Sequence, residues 1–415
     1  MARGTDFGEP RLGRMLDLII VGGGAAGIAA GLEARTRGLS AVILEASDRI
    51  GGRAHSIQWN GHALDLGAGW LHSADRNPMV GLAEQKELAI DRSPSPWRKQ
   101  YRNLGFSPEE QAAANKATEA FEERVLNNPP ASDRASDALD ANGEWNGFLN
   151  SLSNYLNGTG LNHVSAADWV AYWEEAGEQN WRLPGGYGTL ISALADGLDV
   201  RTGFAVVRVE RLAGRVRVIC DDGELEAKRA IVAVPTDVLA SGRIRFDPAV
   251  DDQLHAATQL PLGHVEKLFF ELAEPEEFPN DAHLIGNPRS ADCGSYMLRP
   301  LGMPVVEAFL GGDWVKGRSI EELADKARQE LGALLGADFP GRLRLVAASD
   351  WQRHPFIGGS YSYARPGQHG ARAILRAQVD ERLVFAGEAC SDSDYATVHA
   401  AWESGKAAVS QLSGS

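Results

Sequence analysis

The first strongly patterned stretch of the chain is LDLIIVGGGAAGIAAGLEARTRG, beginning at Leu16, where an apolar run breaks into glycines and then into helix-spaced apolar positions. An unbroken apolar run predicts a strand buried on both faces. Ile28, Ala29 and Leu32 predict the inner side of a helix that Gly38 caps. A second apolar run, Ala41 to Leu44, ends at Glu45, and a hairpin is expected at Asn60-Gly61. Between Pro78 and Gln179 the pattern reads as mostly helical. In RLPGGYGTL near Trp181, Gly185, Gly186 and Gly188 form a turn before a helix around Leu190. VRTGFAVVRVERL and RVRVICDDGELEAKRAIVAVP alternate with period two, predicting a small meander turned near Gly214 and Asp222-Gly223. HVEKLFFEL reads as an alternating strand, and Leu383 to Ala386 as a buried strand before an amphipathic last helix.

The glycines give this pattern its chemistry. Gly22, Gly24 and Gly27 carry the G-x-G-x-x-G spacing between a strand and a helix. The first permits a tight turn, the second lets a pyrophosphate approach the backbone, and the third lets helix and strand pack closely. The helix N-terminus then presents free N–H groups to the phosphates. Glu45, twenty-three residues after Gly22, stands where a carboxylate would bind ribose hydroxyls. A glycine turn alone is weak evidence, but the whole strand, turn, helix, strand and acid unit points to dinucleotide binding.

Composition narrows the class. At 415 residues the chain is roughly three times a ~150-residue domain, so two or three packed units are expected. Its 41 Lys and Arg against 56 Asp and Glu leave a formal charge of −15, the wrong sign for neutralising nucleic-acid phosphates and better suited to a cationic partner. From Glu109 to Asn180 there are thirteen acidic residues against three Lys/Arg, a field able to concentrate a cation, although a solvated helix surface explains it equally well. Cys220, Cys293 and Cys390 show no pairing or zinc-ligand spacing, so no metal site is expected. No run reaches the ~20 apolar residues of a membrane helix, and a cytoplasmic protein with no membrane partner is expected. Residues 1–14 read as a flexible lead-in.

The segments EASDRIGGR and DLGAGWLH resemble the flavin-containing amine oxidase family, and the resemblance runs from about Leu16 to Val409. It implies an α/β fold: a Rossmann-type FAD-binding domain from 15–77, 182–247 and 375–415, with an inserted α+β substrate-binding domain from 78–181 and 248–374. Gly22, Gly24, Ala26, Gly27, Glu45 and Ala46 are the first cofactor contacts it implies. Gly52 with Arg53, a planar donor fork for the pyrophosphate, is the second group, and Gly67, Ala68, Gly69 and Trp70 form the third. Val206 through its backbone, Trp351, Gly387 and Glu388 follow, and the backbone at Thr397 and Val398 opens a helix toward the flavin. No second glycine fingerprint supplies a separate nicotinamide site.

By the same resemblance Lys267 holds a water at flavin N5; the alternative is a lysine that snorkels outward. Trp351 to Tyr361 forms an aromatic wall, with Tyr361 on one side of a substrate cage and Thr397 at the position of its opposite side. His72 matches a histidine of polyamine channels, or is an ordinary core residue. Ser360 stands where monoamine oxidases carry a flavin-linked cysteine, so FAD is expected to be non-covalent. The motifs ATVHAAW and GWLH are nearer to spermine and acetylpolyamine oxidases and histone demethylases. The expected reaction is oxidation of a primary or secondary amine by hydride transfer to flavin N5, giving imine, then aldehyde, and hydrogen peroxide from oxygen, by a monomer or homodimer. A carbon-skeleton desaturase of the carotenoid or porphyrinogen type, or a non-catalytic FAD scaffold, remain the alternatives.

Overall fold

The structure, a computed structural model, describes residues 15–414 apart from the Arg98 side chain, so the expected lead-in at 1–14 lies outside the described residues. The chain divides into two compact units. The first comprises the chain up to Ala54, Ile191–Leu260 and Gly370 onward; the second comprises His55–Leu190 and Pro261–His369.

Among the described residues the first unit carries an eight-stranded sheet. Its order is Arg245–Asp247, Val206–Leu212, Arg215–Cys220, Gly223–Val232, Leu16–Val21, Ala41–Glu45 and Val200–Thr202, with Leu383–Phe385 also pairing with Gly223–Val232. Leu16–Val21 runs parallel to both neighbours, and the meander is antiparallel. The parallel strands need cover on both faces. Helix Ala25–Thr36 and the last helix, Val398–Ser413, together cover one of these faces, with Ala26, Ala30, Ala408 and Leu412 meeting Leu18, Ile20 and Ile43 in one apolar cluster. The two helices approach so closely that a Cβ on Gly405 would lie 2.0 Å from the Ala26 carbonyl oxygen.

The second unit is built on a five-stranded antiparallel sheet ordered Ala282–Ile285, Ser295–Leu298, Val305–Gly311, Val265–Leu272 and Leu343–Ala348. The helices expected between Pro78 and Gln179 are present as Pro108–Asn127, Asn146–Asn157 and Ala166–Glu175, with shorter ones beside them. The alternation read into HVEKLFFEL does not describe its burial, because Val265 to Phe270 are all buried. Leu268, Phe270 and Leu272 pack against Leu323, Ala327 and Leu331 of helix Ile320–Leu335. On the other face Phe269 packs against Leu64, Leu66, Trp351 and Ile357.

The hairpin Ser56–Trp59 and His62–Asp65 turns at Asn60-Gly61, both with positive φ. Contacts group it with the second unit, whereas the sequence expectation carried residues up to 77 with the first. The local reason is the glycine turn before Tyr187, where a Cβ on Gly186 or on Gly188 would collide with Ser56 at 2.5 Å. No helix among the described residues is long and apolar enough to cross a membrane.

Candidate functional site

In the first unit the dinucleotide elements converge on a groove lined by backbone. Gly22 has φ 107°, and a Cβ there would meet the Ala233 carbonyl oxygen at 2.4 Å; one on Gly27 would lie 1.8 Å from the Gly22 carbonyl oxygen. Both glycines are fixed by the fold. Gly24 differs, for its Cβ position meets nothing within 4 Å. It forms the N-cap of helix Ala25–Thr36 without a side-chain capping bond, so the helix N-terminus is left for another partner. Gly51 bridges to Gly24 and donates its N–H to the Gly23 carbonyl at 2.9 Å. The Cβ position of Gly52 lies 3.4 Å from the Gly24 Cα.

Glu45 closes the end of its strand, its carboxylate accepting the N–H of Gly23 at 2.7 Å and of Ser47 at 2.8 Å. Ala46 follows it, half-buried. Arg53 extends Nη1 to Oε1 of buried Glu388 at 3.0 Å, and Glu388 Oε2 accepts the Ala396 N–H. Beside this pair Gly387, φ 137°, again has open space at its Cβ position. A recess here is lined by Arg53, Val234, Pro235, Leu239, Gly387 and Glu388. Val206 begins its strand at a break in register. Open backbone at Gly24 and Gly387, an uncapped helix N-terminus and one guanidinium fit the phosphates and sugar of a dinucleotide such as FAD.

Thr397 is the N-cap of helix Val398–Ser413, its hydroxyl accepting the Ala400 N–H at 3.1 Å and donating to the Asp394 carbonyl at 2.6 Å. That hydroxyl is spent on the cap, which leaves the backbone opening the helix as the part able to meet a ligand.

In the second unit Lys267 lies on the sheet face that looks toward the hairpin. Its Nζ donates to the Asp65 carbonyl at 3.2 Å and pairs with Glu307 Oε1 at 3.2 Å. A Cβ on Gly69 would stand 3.1 Å from that Nζ, so the backbone at Gly69 passes directly by the ammonium. A snorkelling lysine would be exposed, and this one is 6% exposed. Trp351 is buried, and its Nε1 donates to the Leu66 carbonyl at 3.3 Å, so Lys267 and Trp351 hold two consecutive carbonyls just before Gly67. Trp70 is covered by the Arg182 guanidinium and by Trp97.

Tyr361 donates its hydroxyl to the Tyr155 carbonyl, and burial raises its phenol above the usual range. Tyr155 packs on Phe309, whose ring centre is 6.0 Å from Lys267 Nζ, so the two expected catalytic side chains belong to one connected set. Ser360 donates to the Gly263 carbonyl at 2.9 Å. His72, half-buried, shares a 2.7 Å hydrogen bond between Nδ1 and Asn180 Oδ1.

Three acids escaped the sequence reading. Glu266, 1% exposed, accepts the Ser349 hydroxyl and the N–H groups of Trp351 and Gln352, and burial lifts its carboxyl to about 7. Asp65 accepts the Ser56 hydroxyl and the Tyr187 N–H, and desolvation lifts it to about 6. Glu307 is the partner of Lys267. The signal for Glu266 and Lys267 was present as adjacent charges within an otherwise apolar strand, but alternation placed one of them in solvent.

The sequence model of the family described as flavin containing amine oxidoreductase matches residues 97–413, and that of an NAD(P)-binding Rossmann-like domain matches 20–83. Polyamine oxidase 2 of Arabidopsis thaliana is 29% identical, covering 96% of this chain and 88% of that protein. Lysine-specific histone demethylase 1 homolog 2 of Arabidopsis thaliana is 27% identical, covering 97% of this chain and 59% of that protein. Among solved structures, putrescine oxidase bound to putrescine superposes with a TM-score of 0.77 at 19% identity, over 95% of this chain and 98% of that one. Cyclohexylamine oxidase from Brevibacterium oxydans gives 0.77 at 21% identity with the same coverage. At these identities the solved structures establish a shared fold.

Proposed function

Because the chain belongs to the flavin containing amine oxidoreductase family, we propose that it is an FAD-dependent oxidase of a polyamine-like or other alkyl primary or secondary amine. For a primary amine, R-CH2-NH2, oxygen and water become aldehyde, ammonia and hydrogen peroxide. FAD, when bound, supplies the two-electron chemistry, accepting hydride at N5 from the carbon beside nitrogen and returning the electrons to oxygen.

The chain's own residues bind and orient. Gly22, Gly24, Ala26 and Gly27 give the pyrophosphate backbone access to the helix N-terminus, and Glu45 and Ala46 take the ribose side. Gly52 and Arg53 add donors, with Arg53 aimed by Glu388. Val206, Gly387, Glu388, Thr397 and Val398 meet the remaining polar edges through backbone and carboxylate. In the second unit Gly67, Ala68, Gly69, Trp70 and Trp351 wall the ring system, while Lys267 offers an N–H to a water. Tyr361, its hydroxyl anchored on Tyr155, presents a ring face to the amine. His72, in the GWLH segment, orients the distal part of a polyamine.

One observation carries this reading: the Lys267 ammonium is buried beside Gly69, whose Cβ position is 3.1 Å from it, and has one more N–H donor than the two oxygens of Asp65 and Glu307 take up. An ammonium is costly to bury unless it is paired, and any side chain at position 69 would press on it, so the glycine there keeps the ammonium in its place. The test is anaerobic mixing of FAD-loaded protein with a panel of alkyl mono-, di- and polyamines. Bleaching of the flavin followed by peroxide on admitting air is the expected result. A spectrum indifferent to every amine overturns the reading in favour of a desaturase or a scaffold.

A further inference from the structure

The Lys267 ammonium has three N–H donors and, among the described residues, two oxygen partners, the Asp65 carbonyl and Glu307 Oε1. The two differ in kind. The Asp65 carbonyl belongs to backbone that is itself pinned: its own carboxylate takes the Ser56 hydroxyl and the Tyr187 N–H, and the next carbonyl, that of Leu66, takes Trp351 Nε1. Glu307 is a side chain from the neighbouring strand. In the register Lys267 opposes Phe309 and Phe269 opposes Glu307, so Lys267 and Glu307 are diagonal neighbours on one face of the sheet, within reach for long side chains. The Phe309 ring flanks the ammonium. Two tethers fix a four-carbon stem that one tether leaves free to rotate, and they fix the direction of the third N–H.

We propose that Glu307 is a positioning residue for Lys267: with the Asp65 carbonyl it orients the ammonium so that its remaining N–H faces what binds beside Gly67, Ala68 and Gly69. The proposal rests on the reading of Lys267 as the group that serves flavin reoxidation. Glu307 Oε1 is engaged by a cation on its own sheet.

Four FAD-loaded variants test this: Glu307→Leu, Glu307→Gln, Lys267→Met and the double variant Lys267→Met/Glu307→Leu. Each is reduced with dithionite and mixed with aerated buffer, reduced separately by amine without oxygen, and melted. Reoxidation is expected to slow by about 10- to 100-fold in Glu307→Leu, the scale on which misplacing a catalytic group acts. Glu307→Gln, which keeps an acceptor oxygen, should recover part of that loss, and anaerobic reduction should change far less. The double variant should melt above Glu307→Leu, because it no longer buries an ammonium that has lost its direct ion-pair partner. Wild-type reoxidation in Glu307→Leu alongside slow reoxidation in Lys267→Met overturns the proposal alone, as does a rise confined to the KM for amine. Wild-type reoxidation in Lys267→Met overturns the role of Lys267 and the proposal with it.

Discussion

The Arg53 guanidinium is held by the Glu388 carboxylate at 3.0 Å, a pair that joins the second glycine-rich segment to the strand-end loop before the last helix. Glu388 is 5% exposed and its second oxygen is occupied by the Ala396 N–H, so it acts as a fixed mount for a donor fork. Glu388→Gln should raise the dissociation constant for FAD by about tenfold or more, since a charge-assisted hydrogen bond contributes about 1.5–3 kcal/mol. Arg53→Ala should weaken binding at least as much. Titration of apoprotein with FAD, followed by flavin fluorescence, measures both, and wild-type affinity in either variant would refute the assignment.

Gly24 and Gly27 are three residues apart and have opposite jobs. A methyl on Gly27 would lie 1.8 Å from the Gly22 carbonyl oxygen, an overlap that only displacing the helix from the strand relieves, at about 1–3 kcal/mol or more. A methyl on Gly24 meets nothing within 4 Å, and its φ of −78° is open to any residue. Gly27→Ala should therefore lower the melting temperature of the apoprotein. Gly24→Ala should cost the fold at most about 1 kcal/mol as a poorer cap while sharply reducing FAD affinity. Equal effects of the two on apoprotein stability would show that Gly24 is structural.

These contrasts separate what was legible in the sequence from what was not. The strands about Gly22, the hairpin at Asn60-Gly61 and the meander turned at Gly214 follow from local chemistry: apolar runs, residues that tolerate positive φ, and period-two alternation. Glu266 and Glu307 were hidden, because alternation assigns one strand face to solvent and says nothing of a second layer. The burial of Val265–Leu272 on both faces is made by helix Ile320–Leu335 on one side and the Leu64 to Leu66 and Trp351 to Ile357 segments on the other, all distant in sequence. Gly405, which lets two helices touch at Ala26, was unreadable for the same reason. Thr397 was read correctly as a helix opening, yet its hydroxyl serves the cap.

Ser360 bears on how the cofactor is held. Its hydroxyl is buried and donates to the Gly263 carbonyl, and an oxygen there cannot form the thioether that a cysteine would. Acid precipitation of the yellow holoenzyme should leave the flavin in the supernatant and a colourless pellet. Colour retained in washed, denatured protein would disprove non-covalent binding.

The buried acids give stability a distinct pH dependence. Burial lifts Glu266 from 4.5 to about 7 and Asp65 from 3.8 to about 6. Between pH about 4 and about 7 the unfolded chain has already released these protons while the native state keeps them, so stability falls as pH rises through this window and is level above it. His283 opposes the trend, since desolvation lowers it to about 4 and its contribution is lost as pH falls through the same range. The sum alone is therefore uninformative, and a difference is needed. Glu266→Gln removes the proton exchange at one site while leaving an acceptor for Ser349. Relative to that variant, the wild type should lose about 2–3 kcal/mol of unfolding free energy between pH 5 and pH 8, taking about 1.4 kcal/mol per unit of displacement. Urea unfolding of both proteins at the same cofactor loading measures it. Profiles that stay parallel from pH 5 to pH 8 would mean that Glu266 ionises normally, and that its three donors compensate fully for the loss of water.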